Sequence, residues 1–297
     1  MPQEEAGARR YAGARVRVGR GQARLLPAAG SGPGMVLGQF SVLSPGTERR
    51  HLAGADRDAG YMTLGRTDEA AGWVLAPVPH GAAFDLACPG AVTAPVGLPP
   101  RLVALARFQH MACLGLDRAP VVDLNAPLVV GSGPVALGCV LELHRRGARD
   151  IRVVTSRRHA PISRAPGVTC VLPEGAGRGE LVIDASGVAQ RAADLTASGG
   201  ILGLLGTPTT RDTVPALQLH RGGWTVVGMH ELAPAHPGAY QAAYATVAAW
   251  LAEHLDPALA NTWCRLVPGE RVRELFALLD GPSRPAEPVV LLDWRTS

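Results

Sequence analysis

The spacing of apolar and polar positions changes character near residue 100. Before it, Val16 to Val18, Gly34 to Val42 and Ala70 to Val78 are short apolar stretches separated by Gly and Pro, which predicts strands joined by turns and a small β domain over residues 1–95. From Pro99 the apolar positions are Leu102, Leu105, Ala106, Cys113 and Leu116, predicting an apolar helix or helix pair. Between 128 and about 250, strand-like and helix-like stretches alternate. Leu128–Val130 is followed by a helix to Arg146, then by Ile151–Thr155, Val168–Leu172 and Leu181–Asp184. A helix from Ala189 comes next, then Ile201–Leu205, Thr225–Met229 and a helix from Pro237 to about His254. Such alternation predicts a parallel sheet covered on both faces. Pro161 and Pro166 leave room for only a short or broken helix after Thr155. The tail returns to short elements, with Arg271–Leu279 helical and Val289–Leu292 a strand.

The junction after Leu128–Val130 carries the first chemical signal. Gly131-Ser132-Gly133-Pro134 forms a tight turn into a helix with Ala136, Val140 and Leu143 on one face. Gly131 can adopt backbone angles closed to other residues, and Gly133 lets the main chain approach a diphosphate. Pro134 suits a first helical turn, where its missing N–H would have no partner. The free N–H groups and positive end of the helix then face an anion. Ala136 takes the third small position of the dinucleotide-binding fingerprint, and Gly138 follows.

Composition narrows the classes. A chain of 297 residues has room for one large or two ordinary domains. Aromatics make up only 4%, so packing falls to Ala, Val and Leu. All 29 basic residues are Arg, spread along the chain without aromatic interleaving, and the net charge is +4. That pattern argues against a nucleic-acid partner. The five cysteines (Cys88, Cys113, Cys139, Cys170, Cys264) are isolated, so neither a disulfide framework nor a structural zinc cluster is expected. No apolar run of spanning length and no signal-peptide pattern is seen, so a cytoplasmic protein without a membrane partner is expected.

Several segments occur together in a familiar order: Ser44-Pro-Gly-Thr-Glu48, Leu128–Gly138, Glu180-Leu-Val-Ile-Asp-Ala-Ser-Gly187 and Gly199-Gly-Ile-Leu-Gly-Leu-Leu-Gly206, followed by Val272–Leu279 and Val289–Leu292. Across almost its whole length the chain resembles the medium-chain dehydrogenase/reductase superfamily, the zinc alcohol dehydrogenase and quinone oxidoreductase group. The resemblance implies an α/β fold, a GroES-like β domain with an inserted Rossmann doubly wound parallel-sheet domain. Residues 1–100 and 255–297 would form the substrate and catalytic domain, and 101–254 the cofactor domain. Gly131, Ser132, Gly133, Pro134 and Val135 would hold the diphosphate, with Ser186 and Gly187 lining the cofactor. Leu205, Gly206 and Met229 would lie near the nicotinamide. The strand Thr225–Met229 would pair two chains into a homodimer.

The departures from that family are as informative. The position of a catalytic zinc-ligating Cys is Pro45, and the family's Gly-His-Glu appears as Thr67-Asp68-Glu69. A third ligand position falls in Arg107-Phe-Gln-His110. Catalytic zinc wants three protein ligands, so a zinc-free member is expected. The strand Ile151–Thr155 ends in Ser156-Arg157-Arg158, where NAD-preferring proteins carry an acid. Two guanidiniums and a hydroxyl suit a 2′-phosphate, so NADPH is the expected cofactor. By resemblance Thr47 is a proton-relay hydroxyl, and Glu48 and Glu69 stand where zinc members have supporting carboxylates. His110 is the candidate general acid, with the Thr47 turn and the His110 helix expected to converge on a small-molecule substrate. The leading reading is an NADPH-dependent reductase of a C=O, C=C or C=N bond, with a role in specialised-metabolite biosynthesis. An alcohol dehydrogenase running oxidatively, a non-catalytic NADP(H)-binding relative and a methyltransferase are the alternatives.

Overall fold

The computed structural model describes residues 14–27, 32, 34–68, 70–120, 124–208, 212–232, 238–281 and 283–295, and every structural statement below is made of these. The chain opens with strands β1 (Arg15–Gly19), β2 (Gln22–Leu26) and β3 (Phe40–Leu43), then helix α1 (Pro45–Ala53). Short strands follow: β4 (Arg57–Asp58), β5 (Thr63–Gly65), β6 (Val74–Ala76) and β7 (Val92–Thr93). Helix α2 (Pro100–Leu116) leads into β8 (Leu128–Val130), α3 (Pro134–Arg145), β9 (Ile151–Val154), β10 (Val168–Val171) and β11 (Gly179–Asp184). Next come α4 (Ala189–Asp194), β12 (Thr196–Leu204), α5 (Ala216–Gly222), β13 (Thr225–Gly228) and α6 (Ala239–His254). The chain returns through α7 (Pro257–Trp263), β14 (Cys264–Pro268), α8 (Val272–Leu278) and β15 (Val289–Asp293).

Two compact units result, Met1–Ala104 with Ala260–Ser297, and Leu105–Leu259. In the first, one sheet runs β14-β15-β3-β5-β6-β7 and a smaller one runs β2-β1-β4. The closing strand β15 lies antiparallel to β3, Val290 opposite Leu43 and Asp293 opposite Phe40, so segments from near the two ends of the chain share one sheet. Val16, Val18, Leu43, Phe276, Val290, Leu292 and Trp294 form its core. Where a single strand was expected over Gly34–Val42, only β3 and a bridge between Val36 and Phe84 form.

The second unit holds a six-stranded sheet in the order β10-β9-β8-β11-β12-β13, every pairing parallel. Numbered along this unit, the strands run 3-2-1-4-5-6, the doubly wound order in which β8 and β11 flank the switch point. Leu128, Val130, Val154, Val182 and Leu202 pack together, the near-continuous apolar strands of a sheet covered on both faces. The broken helix expected after Thr155 is a single 3₁₀ turn, Pro161–Arg164. On α3 the buried Glu142 carboxylate bonds both Arg145 and Arg146, and Gln109 of α2 donates to it at 3.2 Å.

Candidate cofactor and active site

At the switch point, β8 ends in the glycine turn. Gly131 has φ +118°, a conformation side chains disfavour, and its N–H donates to the Val154 carbonyl at 3.0 Å. A Cβ on Gly133 would meet nothing within 4 Å, so space lies open beside the start of α3. Gly133 caps α3 without a side-chain hydrogen bond, and Pro134 opens it. The turn is tied to the next strand. Thr155 Oγ1 donates to Ser132 Oγ at 3.0 Å and accepts from the Arg157 N–H at 3.2 Å. Thr155 therefore fixes the start of Ser156-Arg157-Arg158 relative to the glycine turn. Ser156 and Arg158 are exposed, Arg157 and Val135 half-buried. In the sequence Thr155 shows only as a strand end carrying a hydroxyl, and its link to Ser132, 23 residues away, exists only in the fold.

Across the switch point, Asp184 ends β11. Its buried carboxylate accepts from the Ser186 N–H at 2.8 Å, the Ser186 hydroxyl at 2.7 Å and the Gly187 N–H at 3.1 Å. Burial pushes the Asp184 carboxyl above its ordinary range, and these donors pull it back. The Asp184 carbonyl accepts from the N–H groups of Leu205 and Gly206 at 3.0 and 2.7 Å. A Cβ on Gly206 would lie 2.6 Å from the Gly187 nitrogen, so these two loops touch main chain to main chain. Ser132, Ser186, Gly187, Leu205 and Gly206 thus gather at the ends of neighbouring parallel strands. Met229 is different. It is 1% exposed, with its sulfur and methyl over Gly203 and its Cβ against Gly115, so its side chain is packing rather than a cofactor-facing surface. An open glycine cradle, an uncapped helix start and an adjoining basic loop fit the diphosphate and ribose of a nicotinamide dinucleotide.

In the first unit, Ser44-Pro-Gly-Thr-Glu48 begins α1 rather than a turn, with Pro45 at the helix start. Thr47 is half-buried in its first turn. Glu48 is fully buried. Arg49 pairs with Asp280 at 2.6 Å, while Glu48 Oε1 lies 3.3 Å from His80 Nε2 and Oε2 lies 3.8 Å from His51 Nδ1. Asp68 accepts from the N–H groups of Ala70 and Ala71, both at 2.8 Å, so it stabilises its own turn. Glu69 lies outside the described residues.

His110 sits on α2 with no exposed surface. Its Nδ1 is 3.0 Å from Arg107 Nη1; because a guanidinium only donates, Nδ1 accepts. The rings of Tyr240 and Tyr244 meet it edge-on, with centroids at 4.6 and 5.7 Å. Arg107, 3% exposed, also donates to the Tyr240 hydroxyl at 2.6 Å and pairs with Glu231. Burial, helped by the Arg107 charge, pushes the His110 imidazole down to about 3. The expected role of His110 as a general acid near neutral pH does not suit this setting. The ring is uncharged there and is built into a packed cluster.

No family model matches the sequence, and no curated protein matches it. Solved structures do. Alcohol dehydrogenase TADH from Thermus sp. ATN1 aligns with a TM-score of 0.71 at 15% identity, over 94% of this chain and 99% of that one. The chain shares the fold of that alcohol dehydrogenase. The short chain alcohol dehydrogenase rspB from E. coli CFT073, complexed with NADH, gives 0.66 at 14% identity, over 94% and 98%. The yhdH oxidoreductase from Salmonella enterica, in complex with NADP, gives 0.63 at 18% identity, over 94% and 98%. The GroES-like and Rossmann parts of that fold correspond to the first and second units. No helix among the described residues is long and apolar enough to cross a membrane.

Proposed function

We propose that this protein is an NADPH-dependent, zinc-independent oxidoreductase of the medium-chain dehydrogenase/reductase superfamily, reducing a C=O, C=C or C=N bond of a small organic molecule in specialised-metabolite biosynthesis. The observation that carries the reading is the glycine turn at the switch point of a 3-2-1-4-5-6 parallel sheet, tied through Thr155 to Ser156-Arg157-Arg158. Gly131, Ser132, Gly133, Pro134 and Val135 would hold the diphosphate on the N-terminus of α3. Ser156, Arg157 and Arg158 would take the 2′-phosphate, because no carboxylate follows β9 to claim the ribose hydroxyls. Ser186, Gly187, Leu205 and Gly206 would line the rest of the cofactor, which supplies the hydride when bound.

Zinc-independence is supported by the donor set: Pro45 has no ligating side-chain atom, Asp68 bonds its own turn, and His110 Nδ1 faces a guanidinium. Without a Lewis acid, charge on the reduced substrate needs a hydrogen-bond or proton donor. Thr47 is the candidate, with Glu48 behind it. Homodimerisation through Thr225–Met229 is supported by the position of β13 at one edge of its sheet, with β12 on one side. Chelator-treated protein supplied with NADPH and a panel of enones, quinones, ketones and imines tests the proposal. Substrate-dependent loss of NADPH absorbance that added zinc does not raise is the expected result. Turnover that appears only with zinc would refute the metal-free reading.

A further inference from the structure

A buried polar chain in the first unit has no part in cofactor binding. Hydrogen bonds link Trp294, Ser41 and His80, Glu48 lies beside the His80 ring, and each of the four, from separate segments, is 1% exposed or less. An indole N–H can only donate, so Ser41 Oγ accepts from Trp294 Nε1 at 2.9 Å. The same oxygen lies 2.9 Å from His80 Nδ1. A hydroxyl this deeply buried needs an acceptor for its own proton, and among the described residues only His80 Nδ1 bonds it as one. Ser41 therefore donates to Nδ1, which leaves the ring proton on Nε2. That nitrogen lies 3.3 Å from Glu48 Oε1, and among the described residues neither atom makes a hydrogen bond, so a buried ring nitrogen and a buried carboxylate oxygen approach each other here with no other polar partner. A ring protonated at Nδ1 would strand the Ser41 hydroxyl proton.

The ring is also held sterically. Gly60 takes φ +93°, and a Cβ there would lie 2.5 Å from the His80 nitrogen and 2.6 Å from its Cγ. The His80 N–H donates to the Ala59 carbonyl at 2.8 Å. Glu48, at the far end, belongs to the first turn of α1, where its N–H donates to the Ser44 carbonyl at 3.0 Å and its chain neighbour is Thr47.

We infer that His80 is a positioning residue: fixed as the Nε2–H tautomer by the Ser41 hydroxyl and the Trp294 indole, it presents its ring N–H to a Glu48 carboxylate that makes no hydrogen bond among the described residues, and thereby places the helix turn that carries Thr47. The consequence for turnover rests on the proposed role of Thr47, whereas the following measurements need no turnover. Imidazole nitrogen NMR of the full chain, with His80 assigned by comparison with His80→Gln, should show Nε2 protonated and Nδ1 unprotonated at neutral pH. Amide exchange should show the Glu48 N–H exchanging about tenfold faster in Ser41→Ala, and near the original rate in Ser41→Thr, which keeps the hydroxyl. Exchange at Val182, in the second unit, should not change. A ring protonated at Nδ1 would overturn the inference. So would Glu48 exchange that ignores Ser41→Ala, or a stoichiometric metal ion lost from Glu48→Gln. If Ser41→Ala does not fold, the spectrum of the unmodified protein still decides the tautomer.

Discussion

Gly138 of α3 and Phe108 of α2 meet backbone to backbone: a Cβ on Gly138 would fall 2.3 Å from both the carbonyl carbon and the carbonyl oxygen of Phe108. Rigid main chain cannot yield as the end of a side chain can. Gly138→Ala should therefore separate the two helices and cost about 1–3 kcal/mol of stability. Urea denaturation measures it, and an unchanged midpoint would contradict the close contact.

Five residues earlier the same substitution should act in the opposite way. Gly133 has φ −86° and open space where a Cβ would go, so Gly133→Ala should leave stability within about 0.5 kcal/mol. The added methyl would instead occupy the cradle expected to receive the diphosphate, and NADPH affinity should fall at least about tenfold. Denaturation and cofactor titration of the one variant separate folding from binding. Lost stability with intact affinity would reverse the assignment.

His110 supplies a pH signature. Its imidazole is lowered from 6.5 to about 3 in the folded chain, so between those values the unfolded chain binds the proton and the folded chain does not. The neutral ring thus favours the folded state fully above about 6.5, and that stability is lost as pH falls toward about 3. His110→Gln should flatten this decline, seen as a smaller shift of the urea midpoint between about pH 7 and about pH 5. An equally steep decline in the variant would show that His110 titrates normally. The pH profile of turnover should not move with His110.

The doubly wound sheet was legible because its strands are short apolar runs separated by helical periods, and the glycine turn marked where it switches direction. The first unit was harder to read. α1 was taken for a turn because Pro-Gly opens it and charges fill it; only Glu48 and Leu52, four apart, are buried. β14 escaped notice because Arg265 and Leu266 are exposed on a strand at the sheet edge. Glu48 illustrates why site chemistry is harder than fold. The imidazole of His80, 3.3 Å from it, is 32 residues away in a Pro- and Gly-rich stretch, and nothing in the local sequence points to it. Met229 shows the converse. A strand-end position can be read from pattern, but whether its side chain faces a ligand or fills the gap over Gly203 depends on a contact across the sheet.

Calorimetric titration of the purified full chain with NADPH and with NADH tests the central claim most directly. One NADPH per chain should bind, at least about tenfold more tightly than NADH, a difference of about 1.4 kcal/mol or more. The double variant Arg157→Ala, Arg158→Ala should lose most of that preference while still binding the dinucleotide through the glycine turn. Equal affinities in the unmodified protein would contradict the 2′-phosphate assignment, and no binding of either cofactor would contradict the account as a whole.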